Sequence, residues 1–133
     1  MIDVEVFGAD GVSHAPAAGE VRGLCELAAA SMGITSAHVA VEFVDAARIA
    51  ALNAEHRGKA APTDVLSFPI DGVGPLDAGD ARELGDVVIC IEHTADVREA
   101  VVHGMLHLLG MDHEADDGEM LALQRELLAG ASS

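Results

Sequence analysis

At 133 residues the chain is sized for one domain whose core removes roughly two-thirds of the unfolded surface from water. Half of the residues are apolar and 23% are charged, yet no apolar run reaches the roughly 20 residues of a helical membrane span, so that class is excluded. The net charge of −16 excludes a nonspecific nucleic-acid coat; a nuclease survives, because a few local cations and a metal override the mean field within about 8 Å.

The opening Met1-Ile2-Asp3-Val4-Glu5-Val6 carries acids where a secretory signal would carry a basic region, which predicts a cytoplasmic protein. Val4 and Val6 alternate with those acids as in a short first strand. Val21, Leu24, Cys25, Ala28 and Met32 recur at helical spacing and stop at Gly33. Val39, Val41 and Phe43 alternate in a second strand, after which Asp45 can cap a shorter helix through Ile49 and Leu52 toward His56. Residues 65–68 form a third strand, bounded by prolines and so expected at a sheet edge, where its backbone could bind an extended substrate. The Gly/Asp/Pro-rich stretch 71–80 reads as a surface loop. Val87, Ile89 and Ile91 mark a fourth strand. Thr94 is read as the cap of a nearly apolar helix carrying Val97, Val101, Val102, Met105, Leu106 and Leu109 and ending at Gly110. A last helix opens with Asp116 and Asp117 and buries Met120, Leu123 and Leu127, while residues 130–133 are expected to fray. Two adjacent strands without a helix between them predict an α+β fold: a single domain over residues 1–133, with a four-stranded mixed β-sheet and helices packed against it. Cys25 and Cys90 fit neither a disulfide framework nor a CxxC zinc pair and read as buried small hydrophobes.

The strongest chemical signal is His103-Gly104-Met105-Leu106-His107-Leu108-Leu109-Gly110-Met111-Asp112-His113. Residues four apart share a helix face, so His103 and His107 can reach one ion at about 2.0–2.1 Å, and a turn at Gly110 would bring His113 to its open side. Three imidazoles leave a vacant fourth position, the arrangement of a catalytic zinc. Three core histidines on a helix of Val, Leu and Met would instead strand several polar groups without partners. The spacing HxxxHxxGxxH matches metzincin proteases, but those carry a Glu general base after the first His, where this chain has Gly104.

Upstream stand Leu52-Asn53, then Arg57-Gly58-Lys59, then Pro62-Thr63-Asp64-Val65-Leu66-Ser67-Phe68-Pro69, then Leu84-Gly85-Asp86-Val87-Val88-Ile89-Cys90. With the histidine segment, these blocks closely resemble the YbeY family of bacterial zinc-dependent endoribonucleases over roughly residues 40–128. The resemblance implies one Zn2+ per chain held by His103, His107 and His113, with Arg57 and His103 as catalytic residues. It also implies single-stranded RNA as substrate, in 16S rRNA 3′-end maturation and ribosome quality control. The small ribosomal subunit and ribosome-associated factors are then the partners, with no DNA and no membrane expected. Only twelve residues separate Cys90 from His103, where family members usually carry a longer segment. The cleft is also poorer in cations than is usual in the family, so RNA affinity is expected to be weaker and more salt-sensitive.

Arg57 has an independent rationale, since a guanidinium fork holds two phosphate oxygens and stabilises charge growing on phosphorus. Lys59 is a looser phosphate contact or part of a solvated turn. His56 is a substrate contact or an exposed helix-end histidine. Asp86 binds substrate near the cleft or makes a structural hydrogen bond, and Asp112 orients a metal-binding imidazole or caps the turn. The general base is unassigned among Asp86, Asp112 and the metal hydroxide. Two other classes fit parts of the pattern: a ribosome assembly factor with a mainly structural zinc, and a metallohydrolase acting on a peptide or small molecule.

Overall fold

Alternation of valine with polar residues sets β1 (Ile2–Phe7) in parallel beside β2 (Ala37–Val44), and β2 in turn pairs in parallel with β4 (Glu83–Cys90). The edge position beyond β4 is taken by β3 (Val65–Pro69), antiparallel to it, so the sheet order is β1-β2-β4-β3. The computed structural model describes residues 2–8, 16–58, 61–77, 81–112 and 116–131. Around the mixed sheet lie α1 (Ala18–Ser31), α2 (Ala46–Arg57), α3 (Val97–Leu108) and α4 (Glu119–Ala131), giving the α+β architecture expected from the element order. Among the described residues no helix is long and apolar enough to cross a membrane.

The helices divide unequally between the sheet's two faces. Val39, Val41, Phe43, Val87 and Ile89 point into a core shared with Val21, Leu24, Val101, Met105, Leu106 and Met120, so α1, α3 and α4 cover this face. Leu66, Val88 and Cys90 point the other way and pack with Ile49 of α2. Both cysteines are buried and free, and burial, reinforced by the charge of Glu26, pushes the Cys25 thiol up to about 12, leaving it unreactive.

Caps fix where the helices begin and end. Asp45 accepts a hydrogen bond from the Arg48 N–H at 2.8 Å, the cap anticipated for α2. Thr94 does not cap α3: its hydroxyl donates to the Cys90 carbonyl at 2.6 Å, and Asp96 is the N-cap, accepting from the Glu99 N–H. Ile91 opens a 3₁₀ turn (Ile91–His93) and does not extend the fourth strand. The helix α4 begins at Glu119, after Asp116 and Asp117, with Asp116 accepting from the Gly118 and Met120 N–H groups, and it continues through Gly130 where fraying was expected. Residues 71–77 form the anticipated loop, tied down by Asp71, which accepts from the Glu83 N–H; residues 78–80, 132 and 133 lie outside the described residues.

Gly110 ends α3 through its positive φ of 95°: its N–H bonds the His107 carbonyl and that of Met111 bonds the Leu106 carbonyl, the paired bonds of a Schellman turn. The chain therefore reverses immediately after the helix that carries His103 and His107.

Candidate functional site

Two imidazoles of α3 face one another at the rim of the core. His103 and His107, one turn apart, have ring centroids 4.7 Å apart and Nε2 atoms 3.1 Å apart. Each ring is held by its other nitrogen. His103 Nδ1 lies 2.8 Å from Gln124 Oε1, and His107 Nδ1 lies 3.0 Å from the Met111 carbonyl oxygen. Both of these oxygens only accept, so the hydrogen-bond network assigns the proton of each neutral ring to Nδ1. The two Nε2 atoms then present lone pairs to each other, which cannot form a hydrogen bond between them.

The arrangement suits a shared cation, since 3.1 Å is a separation that two bonds of about 2.0–2.1 Å can span. Anchoring of the non-ligating nitrogen is also how proteins orient metal-binding histidines. The donor set therefore fits zinc. Among the described residues no group of three metal-donor side chains gathers, and His113, the third expected ligand, lies outside them.

Gln124 escaped the sequence reading. It stands four residues after Met120 on the inward face of α4 and is only 5% exposed. A buried amide at a core-facing helical position was the available signal, since such a group requires a partner. Its partner is His103.

The same histidines line a cleft of about 490 Å³ together with His56, Arg57, Thr63, Asp64, Val65, Leu66, Ser67, Pro69 and Asp112. The cleft straddles β3. From one side α2 supplies His56 and Arg57 in its last turn, just before Gly58 adopts φ 73° and reverses the chain. From the other side α3 supplies His103 and His107. Asn53 donates to the Ala61 carbonyl at 2.9 Å and so fastens the following segment to α2. Ser67, on the α3 face of β3, donates to the Gly104 carbonyl at 3.0 Å; its hydroxyl serves helix–strand packing.

Gly104 explains the departure from the protease pattern. A Cβ at this position would lie 2.5 Å from Val87 Cγ1 and 3.2 Å from Val65 Cγ2, so the helix approaches the sheet too closely for any side chain here. A glutamate base has no room.

Asp86 is exposed on β4 opposite Phe68 and shares the strand parity of Val88 and Cys90, so it stands on the α2 face of the sheet; it is not among the residues that line the cleft. Lys59 lies outside the described residues. Arg57, His103, His107 and Asp112 are thus brought together, and Asp86 is not.

A family model described as Endoribonuclease YbeY matches residues 10–132. A protein named Endoribonuclease YbeY from Symbiobacterium thermophilum is 41% identical, with 79% of this chain and 78% of that protein covered. The Geobacillus thermodenitrificans protein of the same name is 45% identical over 69% of this chain and 71% of its own, and that from Azorhizobium caulinodans is 40% identical over 91% and 86%. Among solved structures, the solution structure of a Thermotoga maritima protein matches with a TM-score of 0.57 at 26% identity, covering 96% of this chain and 88% of that one. A match of this extent, in sequence and in fold, establishes that the chain belongs to the YbeY endoribonuclease family.

Proposed function

We propose that residues 1–133 form a zinc-dependent endoribonuclease domain that cuts single-stranded RNA. The pathway we infer is 16S rRNA 3′-end maturation and ribosome quality control in the cytoplasm, with the small ribosomal subunit and its associated factors as partners. The observation that carries the reading is the pair of Nδ1-anchored imidazoles, whose Nε2 atoms converge at 3.1 Å in a cleft that Arg57 also lines. Family membership supports the choice of RNA.

His103, His107 and, by sequence spacing, His113 would hold the metal. The chemistry that zinc supplies when bound is Lewis-acid polarisation and a lowered pKa for water. Gln124 and the Met111 carbonyl hold the two rings in the required tautomer before substrate arrives, so no reorganisation is needed there. Arg57, exposed at the end of α2, presents its guanidinium to phosphate oxygens and offsets charge that grows on them as the phosphodiester is attacked. Asp64 and Asp112 are carboxylates on the cleft wall and are the general-base candidates that it offers.

The test is metal content of protein purified without added metal or affinity tag, combined with cleavage of a single-stranded RNA before and after chelation. About one zinc per chain with chelator-sensitive cutting is expected. His107→Ala should lose both, and Arg57→Ala should keep zinc while cutting about 10²–10³-fold more slowly, as when one transition-state donor is removed. Cutting by His107→Ala at the wild-type rate in metal-free buffer would refute the site. Zinc without cutting by the wild type would replace the enzyme with a ribosome assembly factor.

A further inference from the structure

We propose that His56 and Phe68 form a nucleobase-stacking platform beside the proposed catalytic cleft, and that this platform makes the cleft select unpaired bases. The proposal rests on the endoribonuclease reading and adds to it a base-binding subsite.

The chain has three Phe and no Tyr or Trp, so each placement of an aromatic ring matters. Phe43 is buried in the core. Phe7 ends β1, the edge strand opposite β3. Phe68 sits on β3 at the edge next to the cleft, on the α2 face, with its ring centroid 4.6 Å from that of His56 and the two planes tilted by 54°. His56 is exposed and lines the cleft, and Leu66 and Pro69 continue an apolar wall beside it. Phe68 therefore backs the imidazole and limits its rotation, and an ordered, exposed flat ring next to apolar surface is the kind of element on which single-stranded nucleic acids stack.

Position strengthens the assignment. His56 immediately precedes Arg57, so their Cα atoms are about 3.8 Å apart. A guanidinium for the phosphate and a ring for the base thus stand side by side, as the two ends of one nucleotide require. Bases within a duplex are already stacked and paired and cannot reach the ring without being extruded. Selectivity for single strands then follows without any sequence readout.

Electrostatics gives the platform something to do. Among the described residues that line the cleft, Arg57 is the sole Lys or Arg, while Asp64 and Asp112 are acidic, and the chain as a whole carries −16. Salt dependence follows the number of phosphates neutralised, with a slope of about −0.7 per contact for single strands. One guanidinium would by itself give a shallow dependence. Stacking, which salt does not screen, supplies the larger share of grip.

The experiment measures equilibrium binding of short fluorescent single-stranded RNAs to the zinc-loaded protein, using an unmodified strand and a set with one abasic nucleotide at each position in turn. RNA cleavage and thermal melting are followed in parallel. His56→Ala should bind the unmodified strand roughly tenfold more weakly, the scale of losing one aromatic–base stack. His56→Phe should restore binding. One abasic position should cost the wild type a similar factor and cost His56→Ala nothing more, so that the two losses are coupled.

Equal penalties at that position in both proteins, an abasic set with no sensitive position, or His56→Phe as weak as His56→Ala would overturn the platform while leaving cleavage intact. A wild type that neither binds nor cuts RNA would overturn the endoribonuclease reading and the platform with it. The abasic series on the wild type tests the proposal even where a variant fails to fold.

Discussion

Gly104→Ala separates two physical effects of opposite sign. Within an exposed helix, glycine to alanine gains about 1 kcal/mol of helix propensity. At this site the added methyl would stand 2.5 Å from Val87 Cγ1 and 3.2 Å from both Val87 Cγ2 and Val65 Cγ2. Val87 is fully buried and β-branched, and turning its χ1 exchanges one crowding methyl for the other, so α3 itself must move away from the sheet. Overpacking of this kind costs about 1–3 kcal/mol, and subtracting the propensity gain leaves a net loss of about 1 kcal/mol. For a chain of this size that is about 4 °C in Tm. The assay is urea and thermal unfolding of metal-free protein, which isolates packing from ligation. The same displacement breaks the hydrogen bond from Ser67 to the Gly104 carbonyl and shifts His103 and His107 relative to Arg57, so cleavage should fall further than stability does. If Gly104→Ala proved more stable than the wild type by about 1 kcal/mol, with unchanged cleavage, close helix–sheet approach would not be the reason for this glycine.

Gln124→Leu should reduce zinc affinity about 10–100-fold in a chelator competition, the usual effect of removing an orienting partner, and unchanged affinity would show that His103 needs no such restraint. His38 gives the fold a pH-dependent contribution: burial lowers its pKa, but hydrogen bonds at 2.6 Å and charges from Glu5 and Glu83 outweigh this and raise it above 6.5. A raised folded-state pKa stabilises fully below about 6.5 and is lost as pH climbs through the folded value, so the Tm gap between wild type and His38→Gln should narrow from pH 6 to pH 8.5. The gap should be small, because both glutamates are more than one-third exposed and solvent screens them; a gap that widened with pH would reverse the assignment.

Features written in local chemistry were legible in the sequence. Asp45 caps because a short acceptor stood immediately before an apolar-periodic segment, and Gly110 ends α3 because a residue free to adopt positive φ followed the last buried leucines. Thr94 had the same local credentials as Asp45, but its hydroxyl is captured by the Cys90 carbonyl at the end of β4, a contact that exists only once the strand is in place. Gln124 was missed, and Asp86 left open between two roles, for a related reason. Whether a polar side chain on one element meets the histidines depends on which face of the sheet it occupies, and sequence periodicity gives parity without saying which face carries α3. Gly104 was correctly seen as lacking a protease's base, but its positive role, contact with Val87 and Val65, needed the packed helix.

The edge position of β3 is what allows the two halves of the site to meet. His56 and Arg57 arrive on the α2 face of the sheet, whereas His103 and His107 arrive on the α3 face. Over a central strand these groups would be separated by the full thickness of the backbone layer and its side chains. Around an edge strand they line one cleft, and the outward N–H and C=O groups of that strand lie between them. An exposed edge normally invites pairing with another chain; here its five residues are short, and Pro69 removes a donor at one end. A shorter strand would lose the Ser67 and Phe68 anchors that hold α3 and His56 to it, and a longer one would extend the unpaired edge. The site's composition therefore follows from topology: placing β3 last in the sheet order, antiparallel to β4, creates a cleft that draws its guanidinium from one layer and its paired imidazoles from the other.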